Sequence, residues 1–218
     1  MNNVTPVNNK YTFQANANHQ ALLYSRKYLQ RRNVLVKIAD EFKKADVEWG
    51  IACSCGLFLL GIVDNFHDYD LLIAPKDFEK VCKIMDRLGE NRQYGQHPTR
   101  AAYFQANGYA EYLVDGMEID VICEFGFTTF DSFYQYHFNP AEVKWINLDS
   151  ISLPVIPAEA QFAFYGMMVG WQPQRAFKRD LIAEYLKTGN MDQPEILQKI
   201  SEEEIPACLI EVIQEILK

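Results

Sequence analysis

Apolar residues recur at spacings near three and four between about His19 and Ala45, at Leu22, Leu23, Tyr28, Leu29, Leu35, Ile38, Ala39 and Phe42. That period predicts one long helix or two consecutive ones. Trp49–Ala52 reads as a short buried strand, and Leu57–Leu60 as a short helix after a tight turn. A second buried strand is predicted through Leu71–Leu72–Ile73. Pro75 stands where a helix can begin without losing a hydrogen bond, and Gly89 where one can end in a left-handed cap. The helix between them should turn Phe78, Val81, Ile84, Met85 and Leu88 inward. Residues 91–100 are polar and poorly patterned, whereas 101–105 and 109–114 are strand candidates. Asp115–Gly116 predicts a type I′ hairpin turn, which needs positive φ at both central residues and folds the strand Glu118–Ile122 back on its neighbour.

The texture changes near residue 155. Helical runs are predicted from Pro157 through Met168, over about 174–187, over 194–200 and over 202–217. The order of elements indicates an α/β (α+β) chain: a mixed sheet with flanking helices over 19–155, then a helical domain over 156–218. Residues 1–18 are rich in asparagine and poor in apolar periodicity, so they read as a mobile arm or a loosely docked extension.

Composition adds bounds. With 218 residues, 49% of them hydrophobic, the chain can bury one substantial core or two modest ones sharing an interface. Its formal net charge of −8 argues against broad binding to nucleic acid, which needs a basic face to displace counterions, and suits metal ions and polycationic small molecules. The five cysteines form no CxxC pair, so neither a disulfide framework nor a zinc ribbon is indicated. No signal-like start and no membrane-length apolar run is seen, and a cytoplasmic protein without membrane association is expected.

The most informative chemistry lies in three carboxylates. Asp68 and Asp70 open the Leu71–Ile73 run, and Asp120 sits inside Glu118–Ile122. Alternation along a strand sends Asp68 and Asp70 to one side, roughly 6.5 to 7 Å apart, and Tyr69 to the other. Like charges held that close, at the head of a buried strand, call for a neutralising cation or proton, and a divalent metal is the economical one. Alternatively, Asp68 and Asp70 are solvated strand-end residues and Asp120 faces outward from a half-exposed strand.

The segment Ala52–Gly61 followed by Asp68–Tyr69–Asp70–Leu71 resembles the nucleotidyltransferase superfamily, to which polymerase β and the aminoglycoside and lincosamide adenylyltransferases belong. The shared pattern is a strand, a Gly-Ser or Gly-Gly turn, a helix, an Asp-x-Asp strand, and a third carboxylate on a neighbouring strand. Ser54 matches the serine of the turn, and Cys53 stands where the family has a glycine that lets the backbone approach a triphosphate. The resemblance implies a nucleotidyltransferase-like fold and transfer of an NMP from an NTP co-substrate, ATP foremost, to a hydroxyl, with release of pyrophosphate. It further implies two Mg²⁺ ions on Asp68 and Asp70, with Asp120 completing the second site and assisting deprotonation of the acceptor.

Beside that implied site, the turn at Cys53, Ser54 and Gly56 could cradle phosphate at a helix start, or Ser54 could simply cap the helix. Lys178 and Arg179 sit where related enzymes place a basic residue toward the triphosphate, or on a solvated helix face. The aromatic tract Phe125, Phe127, Phe130, Phe133, Tyr134, Tyr136 and Phe138 lines an acceptor pocket or packs the core. His67 and His137 are acid–base candidates by residue type alone. Three functions stand: an enzyme acting on a small-molecule acceptor such as an aminoglycoside-like antibiotic, a binding or regulatory protein of the same fold that has lost catalysis, and a structural metal-binding domain unrelated to nucleotides.

Overall fold

Trp49–Ala52 is buried at every position and forms the strand from which the rest of the sheet is built outward. The structure is a computed structural model that describes residues 12–13, 25, 28–95, 103–129, 133–148 and 151–218. Its strands are β1 (Thr12–Phe13), β2 (Trp49–Ala52), β3 (Tyr69–Ile73), β4 (Glu90–Tyr94), β5 (Phe104–Val114), β6 (Met117–Thr128), β7 (Phe133–Gln135), β8 (Lys144–Leu148) and β9 (Ile151–Val155). They join in one mixed sheet of order β1-β8-β9-β2-β3-β6-β5-β4, with β7 paired to β6. At its centre β2 runs antiparallel to β3, and β3 runs parallel to β6.

The helices are α1 (Leu29–Lys44), α2 (Cys53–Leu59), α3 (Phe78–Leu88), α4 (Ala158–Met168), α5 (Ala176–Tyr185), α6 (Pro194–Ser201) and α7 (Ala207–Ile216). In α1 the buried residues Val34, Leu35, Ile38, Ala39 and Phe42 follow the helical period, and Lys43 and Lys44 meet the negative end of the helix dipole. Helix α3 buries Phe78, Val81, Cys82, Ile84 and Met85 after a 3₁₀ turn, Pro75–Asp77, that the proline opens. Helix α4 is buried on nearly every side because it packs against α5, α6 and β6 at once.

The architecture agrees with the sequence reading, and its departures have local causes. The turn at Asp115–Gly116 has φ of 49° and 80°, the left-handed pair that a type I′ hairpin requires. Gly89 is not a left-handed cap. Its φ is −160° and its backbone is extended, and a Cβ there would lie 2.3 Å from the Leu113 carbonyl oxygen, so the glycine serves close strand approach. Strand β4 falls inside the stretch read as patternless, because as an edge strand it is almost wholly exposed and carries no apolar alternation. Residues 104–105 of the first strand candidate and the whole of the second, 109–114, lie in the single strand β5 across Gly108, where a Cβ would meet the Phe78 ring at 2.8 Å, while 101–102 lie outside the described residues. Helix α2 starts at Cys53, four residues before Leu57, and α7 starts at Ala207, after Pro206. Of residues 1–18, the described Thr12–Phe13 pairs in parallel with β8, and the rest lie outside the described residues, as do 19–24 of the first predicted helix.

Candidate active site

The site begins where β2 turns into α2 with no intervening loop. Cys53 makes that turn at φ 50°, in the left-handed region where a side chain is strained and glycine is not. Ser54 follows, buried, and its hydroxyl donates to Asp68 Oδ1 at 3.0 Å. The capping alternative for Ser54 is not what the structure has: Ala52 occupies the N-cap position, and the hydroxyl is spent on Asp68.

Asp68 immediately precedes β3 and Asp70 lies within it, while Tyr69 between them turns the other way and donates to the Arg31 carbonyl at 2.7 Å. Asp70 is the register partner of Ala52 on one side and of Asp120 on the other. Parallel pairing in register puts the side chains of Asp70 and Asp120 on one face of the sheet, on strands about 4.8 Å apart.

Above that face lies a cavity of about 190 Å³ bordered by Cys53, Ser54, Asp68, Asp70, Asp120 and Lys178, so six of the seven residues singled out from the sequence share one wall system. Gly56 does not border it. It is buried in α2, where a Cβ would come within 2.8 Å of the Ile51 carbonyl oxygen and 2.9 Å of Gln161 Nε2, so it is a packing glycine. Arg179 bonds Asp180 at 2.6 Å, and His137 borders a separate small cavity, whereas the exposed His67 stands at the rim of the main one. The aromatic tract divides: Phe125 and Phe127 border the main cavity, Tyr134 and Tyr136 are buried, Phe133 is exposed, and Phe130 lies outside the described residues.

The structure adds Arg175 and Tyr165, which the sequence reading passed over. Arg175 ends the 3₁₀ turn Pro173–Arg175 and stands three residues before Lys178, a spacing that turns both toward the same side. That spacing is the signal by which Arg175 could have been found. Lys178 Nζ lies 3.4 Å from the Tyr165 hydroxyl and 5.3 Å from the ring centroid, and the Arg175 guanidinium 5.9 Å from the same centroid.

Charge and burial are set against each other here. Burial, then the neighbouring Arg175, lowers the Lys178 pKa below the usual lysine value, with Cys53, Asp68 and Asp70 opposing. Burial, then Asp70 and Asp68, pushes the Cys53 thiol well above the ordinary range, so it is neutral at neutral pH. The Tyr165 hydroxyl is raised in the same way by burial, then by Cys53 and Asp70.

Asp68, Asp70 and Asp120 are hard oxygen donors, the chemistry that suits Mg²⁺ over zinc. Among the described residues no three His, Cys, Asp or Glu side chains close around a point as a metal cage. A cation escorted by phosphate does not need one, since Mg²⁺ usually takes one or two carboxylates and completes its shell with water and phosphate oxygens. The donor set therefore fits the group.

One further geometric fact shapes the cavity. Asp120 and Ile122 border it, and so do Phe125 and Phe127, although alternation should send the second pair to the opposite face. The register of β6 with β5 is the same from Met117 to Cys123 as from Phe125 to Phe127, and the ladder skips the Asn107–Glu124 pair between them. The change of phase coincides with Glu124, at φ 44°, whose carboxylate accepts from Asn107 Nδ2 at 2.8 Å. Its partner strand switches with it, for Tyr109 and Phe104 also border the cavity from positions of opposite parity.

No protein-family model and no curated protein matches the chain. Solved structures do. A Thermotoga maritima protein inferred to be a nucleotidyltransferase superposes with a TM-score of 0.54 at 17% identity, over 74% of this chain and 94% of that one. A lincosamide antibiotic adenylyltransferase with lincomycin bound gives a TM-score of 0.48 at 16% identity, over 69% of this chain and 94% of its own. The first likeness establishes the fold, a nucleotidyltransferase-like mixed α/β sheet with flanking helices.

Proposed function

We propose that this chain, carrying a nucleotidyltransferase-like fold, transfers a nucleoside monophosphate from an NTP to a hydroxyl of a small molecule and releases pyrophosphate. The observation that carries the reading is the in-register pair Asp70 and Asp120, which lines one cavity together with Arg175 and Lys178. Carboxylates and cations around one cavity are what a metal–triphosphate complex requires of its container.

Asp68, Asp70 and Asp120 would hold Mg²⁺. When bound, the metal neutralises charge on the phosphates and orients the α-phosphorus. Ser54 fixes the rotamer of Asp68 through its hydroxyl, so that this carboxylate need not be ordered when substrate arrives. Lys178 and Arg175 bind the triphosphate oxygens, and the phosphate charge offsets the burial and the Arg175 repulsion that together lower the Lys178 pKa. The acceptor oxygen attacks the α-phosphorus in line, the bond to the bridging oxygen breaks, pyrophosphate departs, and the acceptor proton passes to the Asp120 carboxylate. Tyr165 has no place as the base, since its raised pKa keeps it protonated.

A binding protein of the same fold is the second reading, favoured by one observation: the Cys53 side chain enters the cavity where a glycine would leave room for phosphate. Thermal melting with Mg²⁺, each NTP and their combinations tests both readings together with pyrophosphate release. A shift that needs Mg²⁺ and an NTP together, lost in Asp70→Asn, supports a triphosphate site. Such a shift with no pyrophosphate released over a broad panel of hydroxyl acceptors selects the binding protein, and no shift in any combination overturns both.

A further inference from the structure

The cavity is lined by two chemically distinct groups of residues. Carboxylates and cations gather around Cys53. The other group is Phe104, Phe125, Phe127, Phe164, Met168 and Trp171, contributed by β5, β6, α4 and the turn after it. Phe164 meets Phe125 edge-on at a centroid distance of 5.0 Å, and Phe125 meets Phe127 edge-on at 5.4 Å, so the rings form one continuous wall. Trp171 stacks on Tyr103 at 5.5 Å with only 9° between the planes, and its buried indole N–H finds no acceptor among the described residues.

We infer that the acceptor is a hydroxylated molecule with a flat apolar ring system and no polycationic character. This rests on the transferase reading above and deepens it. A polycation needs carboxylates of its own, yet among the described residues the acidic ones at this cavity are Asp68, Asp70 and Asp120, which the metal would take up, while Arg175 and Lys178 repel positive charge. Rings that stack or meet edge to face recognise a flat apolar partner. The phase change at Glu124 brings Phe125 and Phe127 into line with Asp120, so a ring held on the wall presents its hydroxyl toward the carboxylates.

Equilibrium dialysis of the full chain against naphthol and against tobramycin, each with Mg²⁺ and ATP present, tests this. Saturable naphthol binding, weakened about tenfold in Trp171→Ala and in Met168→Asp, with no saturable uptake of tobramycin at equal concentration, is the expected result. Tighter binding of tobramycin, or naphthol binding unchanged in both variants, overturns the inference. The thermal shift given by Mg²⁺ and ATP should be the same in Trp171→Ala as in the parent chain. Its loss there would assign the aromatic wall to the nucleobase and overturn the inference in another way. Failure of the parent reading is separate: it shows as absence of that shift in the unmodified chain.

Discussion

Asp70 and Asp120 are direct register partners on adjacent parallel strands, and each keeps its side chain only half-buried in a sheet whose neighbouring positions are sealed. Two carboxylates in that relation gain nothing for folding from each other's company, because like charges on neighbouring strands repel. On the proposed reading both serve the same metal–triphosphate complex. Asp70→Asn and Asp120→Asn should therefore each lower the rate of pyrophosphate release by at least about a hundredfold, while chemical denaturation moves by less than about 1 kcal/mol.

Lys178 offers a test by pH. Its folded-state pKa is depressed below its unfolded value, so the folded chain carries the cost of a buried charge at neutral pH, and that cost is relieved as pH rises through the depressed value toward 10.5. Lys178→Met should raise stability at neutral pH and weaken NTP binding by about tenfold, the loss of one charged hydrogen-bonding partner. In the parent chain, isothermal titration in buffers of differing ionisation heat should detect proton uptake when NTP binds at alkaline pH, since triphosphate restores the lysine charge.

Cys53→Gly removes a side chain from a left-handed residue that costs about 1 kcal/mol or more in strain. The flexibility of glycine in the unfolded chain offsets about 0.5 to 1 kcal/mol of that gain. Denaturation should find the variant equal to the parent or more stable, and NTP titration should find tighter binding if the thiol narrows the phosphate end of the cavity. Unaltered affinity would show that phosphate does not approach this turn.

Gly89→Ala brings a methyl group to 2.3 Å from a backbone oxygen of β5, an atom that cannot rotate away. The cost should be about 2 kcal/mol or more in the denaturation midpoint. A left-handed cap would have predicted a different culprit, φ strain, and would have been eased by asparagine. Gly89→Asn should be as harmful as alanine.

Glu124 separates two explanations of the phase change in β6. Glu124→Gly retains access to φ 44° and should leave naphthol binding near that of the parent, whereas Glu124→Val should destabilise by about 1 to 2 kcal/mol and weaken ring binding. Equal behaviour of the two variants would mean that the flanking residues, rather than the dihedral angle of Glu124, aim the phenylalanines.

Period and punctuation in the sequence were enough to locate the central strands, the Asp115–Gly116 turn and all four C-terminal helices, since each of these obeys rules local to its own residues. Strand β4 was invisible because its exposed face and its edge position erase the apolar alternation that marks a strand. Gly89 and Gly56 were misread for a related reason: their neighbours, the Leu113 carbonyl and Gln161, are remote in sequence, and no local pattern announces a close approach. At the site, the carboxylates were legible from the Asp-x-Asp spacing. Arg175 was not, being unremarkable until Lys178 is known to face the cavity. Phe125 and Phe127 were legible only as pocket lining or core packing, because their parity contradicts that of Asp120 and the left-handed Glu124 that reconciles them has no local signature.

That glutamate also divides the heritable risk of change along a single strand. Upstream of it, substitutions on the cavity side would strike the proposed reaction itself. Downstream of it, the cavity side is carried by odd-numbered positions, so the shape of the wall can drift, shrink or widen without disturbing the alternation that aims Asp120. On the proposed reading, a chain built this way would acquire a new acceptor by mutations confined to a few residues past Glu124 and their partners before Gly108, while its chemistry stayed where it was.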